Sequence, residues 1–177
     1  MESRVTANAL EMMEETVSLV RRYLPDLAAK PECRKLGSGG SWCWLTLPAP
    51  SGADYSFRLH EYSDGAKQIS ATLLEGGGEK SHFWYRPFEL AGYKSHKDLK
   101  AGFLEAVRIV MTCPTQIVQR RGWLFWQLSC NYLEGGVWKE LGSMEILRGQ
   151  IKLPDIQGKT AIYKSPPVGR VTLGHNP

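Results

Sequence analysis

Residues 41–86 read SWCWLTLPAPSGADYSFRLHEYSDGAKQISATLLEGGGEKSHFWYR, and their alternation decides the fold. Across Ser41–Leu47, Cys43, Leu45 and Leu47 alternate with Trp42, Trp44 and Thr46. Across Asp54–Tyr62, Tyr55, Phe57 and Leu59 alternate with Ser56, Arg58, His60 and Tyr62. Lys67–Leu74 sets Ile69, Ala71 and Leu73 against Gln68, Ser70 and Thr72, and Ser81–Arg86 sets Phe83 and Tyr85 against His82, Trp84 and Arg86. A period of two sends successive side chains to opposite faces of a strand. Turns at Ser63-Asp64-Gly65 and Gly76-Gly77-Gly78 are short enough to fold neighbouring strands back on each other, so the stretch predicts an antiparallel meander of four strands.

Working outward, Val5, Ala9, Met12, Met13, Val17, Val20 and Leu24 recur at steps of three and four, which predicts an amphipathic helix over residues 3–24. Apolar residues at that spacing are read as core rather than as a partner groove. Residues 25–40 read as a connection. A second helix is expected from Ser95, where Ser95-His96-Lys97-Asp98 resembles a capping box, to Cys113-Pro114, with Leu99, Phe103, Ala106, Val107 and Val110 as its stripe. Strands are then expected at Thr115–Arg121, Trp123–Leu133 and Val137–Leu147, with Glu134-Gly135-Gly136 turning the second into the third and Gly122 marking a tight turn or a bulge. The expected fold class is α+β: an antiparallel sheet of about seven strands in the order helix, four-strand meander, helix, three-strand meander.

A chain of 177 residues suits one domain, here expected over residues 1–147. Arg148, Lys152, Lys159, Lys164 and Arg170 stand against Asp155 alone in residues 148–177, which accounts for the whole net charge of +4 and leaves 17 basic and 17 acidic residues before them. That Pro/Gly-rich segment reads as an extended basic arm, packed on or trailing from the domain, with one or two edge strands. No stretch approaches the ~18 consecutive apolar residues of a membrane span. Glu2, Glu11, Glu14 and Glu15 interrupt the N-terminal residues, so no signal peptide is expected and the cytoplasm is the expected compartment. The four cysteines are too few for a disulfide scaffold and include no C-x-x-C pair of the zinc or thioredoxin kind.

Chemical signatures come near and fail. Gly76-Gly77-Gly78-Glu79-Lys80-Ser81 lacks the glycine a P-loop needs before its lysine and joins two strands, so it offers no helix N-terminus to phosphate. His60-Glu61-Tyr62-Ser63-Asp64 ends in Asp and alternates as a strand, whereas a zincin needs two His on one helix face. A Cys43–His60 dyad would need both side chains on one face, and alternation puts them on opposite ones. No cofactor or metal is expected, and the chain is read as non-catalytic, with a hydrolase of unrecognised active site as one alternative.

The face opposite the apolar stripes is the informative feature. It collects Trp42, Trp44, Arg58, His60, Tyr62, Trp84 and Arg86, with Ser, Thr and Gln between them, and Trp123, Phe125 and Gln127 in the second meander. Rigid rings beside Arg and short hydrogen-bonding groups are what binding surfaces use, whereas a solvated sheet face is richer in Lys, Glu and Thr. Alternation alone leaves three readings open: a second core under the helices, an interface between copies, or a site for a partner. The function expected is a cytosolic binding module working through Trp42, Trp44, Arg58, His60, Tyr62, Trp84 and Arg86. A protein partner or a second copy is favoured over a small ligand, and no membrane partner is expected. Single-stranded nucleic acid is the alternative occupant, through the aromatic face and the basic arm.

Overall fold

The computed structural model describes residues 7–26, 30–35, 41–48, 54–61, 68–75, 82–89, 95–147 and 159–170. The elements run α1 (Ala7–Arg21), β1 (Glu32–Lys35), β2 (Ser41–Pro48), β3 (Asp54–Glu61), β4 (Gln68–Glu75), β5 (His82–Glu89), α2 (His96–Thr112), β6 (Thr115–Arg121), β7 (Phe125–Glu134), β8 (Val137–Leu147) and β9 (Thr160–Ser165), then a 3-10 turn, Val168–Arg170. The mixture of helix and antiparallel sheet expected from the sequence is what forms. β1 carries no alternation long enough to announce it, whereas β9 is an edge strand of the kind expected in the C-terminal segment. Where a single sheet was expected, the described strands pair in three orders, β1-β2-β3, β4-β5 and β8-β7-β6-β9. The chain divides into two compact units. One holds α1, β1, β2 as far as Leu47 and α2 as far as Arg108; the other holds the end of α2 from Ile109 and β6 to β9. β3, β4 and β5 are divided between them, with residues 82–86 of β5 in the second.

In the first unit, α1 buries Met12, Met13, Val17 and Val20, with Leu24 just beyond its end, as the three- and four-residue spacing requires. Val5 lies outside the described residues. Thr16 falls inside this stripe and is buried, and its Oγ1 donates to the Met12 carbonyl at 2.7 Å, so the hydroxyl is satisfied without leaving the helix. Met12 and Met13 are therefore core. In α2, Leu99, Phe103, Ala106 and Val107 are buried. Its first turn is capped as expected, with a difference. The Asp98 N–H donates to Ser95 Oγ at 3.2 Å, and the Ser95 hydroxyl donates to the Asp98 carboxylate at 2.8 Å, because Asp is one methylene too short for the Glu or Gln role. Lys100 ties the two helices together, lying 3.0 Å from Glu11 and 2.7 Å from Glu15. Those hydrogen bonds, Glu15 first, hold its ammonium above the ordinary lysine value.

A correction concerns β1, which falls in what the sequence reading takes as a connection. It runs antiparallel to β2 with Cys33 directly opposite Cys43, and the two are joined by a disulfide. The sequence search for close C-x-x-C pairs missed it because the partners are ten residues apart and meet only across strands. Cys43 thus has no thiol to offer a Cys–His dyad. Its position beside buried Leu45 and Leu47 is as expected.

In the second unit, β8-β7-β6-β9 is antiparallel throughout. Trp126, Leu128 and Cys130 of β7 are buried together with Ile117 of β6 and Ile146 of β8, which forms the inner face. Gln127, Phe125 and Ser129 take the other face, as alternation predicts. Leu141 is the extra residue where the β7–β8 register shifts at Cys130/Asn131, and it is buried. The β7–β8 turn uses Gly135 and Gly136 at φ of 60° and 80°, the left-handed conformations a two-residue hairpin turn demands. The described part of the C-terminal segment includes β9, in which Ala161, Ile162 and Lys164 pair with Gln119, Val118 and Gln116 of β6.

Candidate functional site: an aromatic and arginine face on the first sheet

Residues directly opposite on paired strands point to the same side of a sheet. Trp42 faces Arg34 and Trp44 faces Glu32, so these four share the face opposite Cys43, Leu45 and Leu47. The rings of Trp42 and Trp44 meet edge to face, with centroids 5.8 Å apart and planes at 60°. The Arg34 guanidinium carbon lies 5.3 Å from the Trp44 centroid, reaching it diagonally rather than straight across. Both indoles are half-buried, while Glu32, Arg34 and Thr46 are exposed.

The local sequence explains the arrangement. Leu45, Leu47 and the disulfide-bonded Cys43 lock one side of β2 into the interior, which forces Trp42 and Trp44 outward. The disulfide then pins β1 against β2 one residue from Arg34, which keeps the exposed guanidinium within reach of the Trp44 ring. A ring face attracts a cation, and a ring contact uses none of the five N–H donors of a guanidinium. Such a patch can bind a carboxylate or carbonyl through Arg34 while the indoles supply apolar contact.

Of the seven residues expected from the sequence, Trp42 and Trp44 are placed on this face and brought together. Arg58 and His60 fall on β3, and Trp84 and Arg86 on β5, but their side chains lie outside the described residues, as does Tyr62 altogether. Arg34 and Glu32 were missed. The one signal for them was Cys33, whose alternation with Arg34 only acquires meaning once Cys43 is known to be its partner. Among the described residues, no group of three or more His, Cys, Asp or Glu is arranged to hold a metal.

A second aromatic and apolar surface lies on the outer side of the other sheet. There Phe125 is paired with Leu147, and Ile162 with Val118. From the two edge strands, Lys164 and Trp138 reach over this side, with the Lys164 Nζ 6.0 Å from the Trp138 centroid. Trp123, at the β6–β7 turn, is 88% exposed. No family model, curated protein or solved structure matches this chain.

Proposed function

We propose that the chain is a non-catalytic binding module for a protein partner, working through the aromatic and arginine face around Trp42, Trp44 and Arg34. The observation that carries this reading is the cluster itself: two half-buried indoles and an exposed arginine on the side of β2 away from its apolar stripe. Trp and Arg are the residue types that dominate binding energy in protein interfaces, and a guanidinium already packed on a ring loses less freedom when it is engaged. Arg58, His60 and Tyr62 extend this face in the proposal, by the sequence alternation that runs along β3, the neighbour of β2; Trp84 and Arg86 stand on β5, which pairs with β4, and have no part in it. A partner surface offering carboxylates to Arg34 and an apolar ledge to Trp44 is the chemistry that fits.

The basic segment 148–177 is assigned no separate part in this reading. Cytoplasmic placement is also part of the proposal; there the Cys33–Cys43 bond meets a reducing thiol pool, so the alkylation state of the pair in rapidly quenched cells tests the placement. Partner capture with the full chain as bait tests the function. One protein should be retained by the wild type and lost with both Arg34→Ala and Trp44→Ala while the variants stay folded. Retention by both variants would remove the face from the account. Strong, salt-sensitive binding of single-stranded RNA through the same residues would replace the protein partner with nucleic acid.

A further inference from the structure

The second surface carries an inference that does not rest on the first. β6 and β7 are joined through Gly122, Trp123 and Leu124, and the Gly122 N–H donates to the Phe125 carbonyl at 2.9 Å, closing the turn. A Cβ at position 122 would stand 2.8 Å from that carbonyl oxygen, so the close approach needs glycine. The turn presents three consecutive large apolar residues: Trp123 at 88% exposure, Leu124 at 55% and Phe125 at 42%. Leu147, opposite Phe125 on β8, adds a fourth at 47%.

The strand ends beside this tip carry cations. Arg120 and Arg121 close β6, and Lys159 enters β9 with its carbonyl accepting from the Arg121 N–H at 2.8 Å; all three residues are exposed. The Arg121 guanidinium lies 6.0 Å from the Trp126 centroid. Among the described residues, the first acid along these strands is Glu145, two pairs further from the tip than Leu147 and opposite Gln127.

We propose that the β6–β7 tip is a membrane-surface anchor, seating Trp123, Leu124 and Phe125 in the interface of an anionic lipid bilayer while Arg120, Arg121 and Lys159 meet the headgroups. Charge complementarity selects this occupant. Apolar residues at the apex with cations behind them match the layering of an anionic leaflet, apolar below and negative at the surface. Trp and Phe favour that depth, and long basic side chains can reach the headgroups while their stems stay in contact with lipid. A projecting tip also suits a deformable phase, whereas a protein partner would have to supply a matching pocket. The expectation of no membrane partner rested on the lack of a spanning segment, and no described helix is long and apolar enough to cross a membrane. Surface association needs no span, so the inference revises that expectation.

The test is co-sedimentation of the full chain at low salt with vesicles of phosphatidylcholine and phosphatidylserine, about three to one, beside phosphatidylcholine alone. The anionic vesicles should retain the protein at least about tenfold better than the neutral ones, and salt should weaken that retention. The double variant Trp123→Ser/Leu124→Ser should fall to background, and Arg120→Gln/Arg121→Gln should bind roughly ten- to thirtyfold more weakly. Should either variant misfold, quenching of tryptophan emission by brominated lipid gives an independent reading: the wild type should lose a component that Trp123→Phe lacks. Failure of the wild type to pellet with anionic vesicles overturns the proposal, as does binding that the tip variants keep. A dimer that separates on changing the tip, without vesicle binding, also overturns it and makes a second copy the occupant.

Discussion

Arg34 and Trp44 stand on neighbouring strands, and the guanidinium carbon lies 5.3 Å from the ring centroid although Trp42, not Trp44, is directly opposite Arg34. The diagonal contact leaves Trp42 to meet Trp44 edge to face, so the three side chains form one contiguous cluster. A double-mutant cycle over Arg34→Ala and Trp44→Ala should give a coupling of about 0.5–1 kcal/mol, the scale of an exposed cation–ring pair. Additive losses would mean that the two side chains are neighbours without interaction.

Two tryptophans three residues apart, Trp123 in the β6–β7 turn and Trp126 in β7, test which part of this hairpin is packed. Trp126 is buried, so Trp126→Ala should destabilise by about 3–5 kcal/mol in urea unfolding. Trp123 stands at 88% exposure, and Trp123→Ala should stay within about 0.5 kcal/mol of the wild type. Equal losses would show that the tip is packed in solution.

The cysteines make a countable prediction. Cys33 and Cys43 are bonded while Cys113 and Cys130 are free, so the unreduced, denatured chain should titrate two thiols, and the reduced chain four. Because the bond closes a short loop, its removal by Cys33→Ser/Cys43→Ser should cost about 2–3 kcal/mol in equilibrium unfolding. Four thiols before reduction would contradict the pairing.

The pH dependence follows from two pairs of opposite sign. Lys100 is raised above 10.5 in the folded state by Glu15 and Glu11, so its contribution is complete below that value and disappears as the pH climbs through the folded one. Glu105 is lowered from 4.5 by the Arg108 hydrogen bonds, so its contribution is complete above 4.5 and disappears as the pH falls through the folded value. These two groups therefore leave stability level across neutral pH. Lys100→Met should lower it there by about 0.5–1 kcal/mol, less at high salt. An unchanged melting temperature in low salt would show that the Lys100 clamp contributes nothing.

Much of this organisation is legible before any coordinate. Leu45 and Leu47 announce their burial by alternating with Trp42 and Trp44, and Phe103 and Val107 do so by helical spacing, because burial of one face imposes a period on the chain. Trp126 and Leu128 were separated from Phe125 and Gln127 for the same reason. The four residues of β1, Glu32, Cys33, Arg34 and Lys35, impose no period: three are charged and exposed, and the fourth is held by a covalent bond rather than by packing. Arg34 therefore carries no signal as a candidate site residue, and Arg58 and Arg86 are the arginines that alternation singles out. The split into three strand groupings was equally hidden, since alternation reports which way a side chain points and carries no information on which strand lies alongside.

The most direct measurement of the central claim is site-specific photo-crosslinking from position 44 in the full chain, with the crosslinked species identified by mass. The account predicts one predominant protein adduct, lost when Arg34→Ala is combined with the probe, while a probe at exposed Lys97 on α2 yields no such adduct. Crosslinks from position 44 confined to the chain itself, or unaffected by Arg34→Ala, would contradict it.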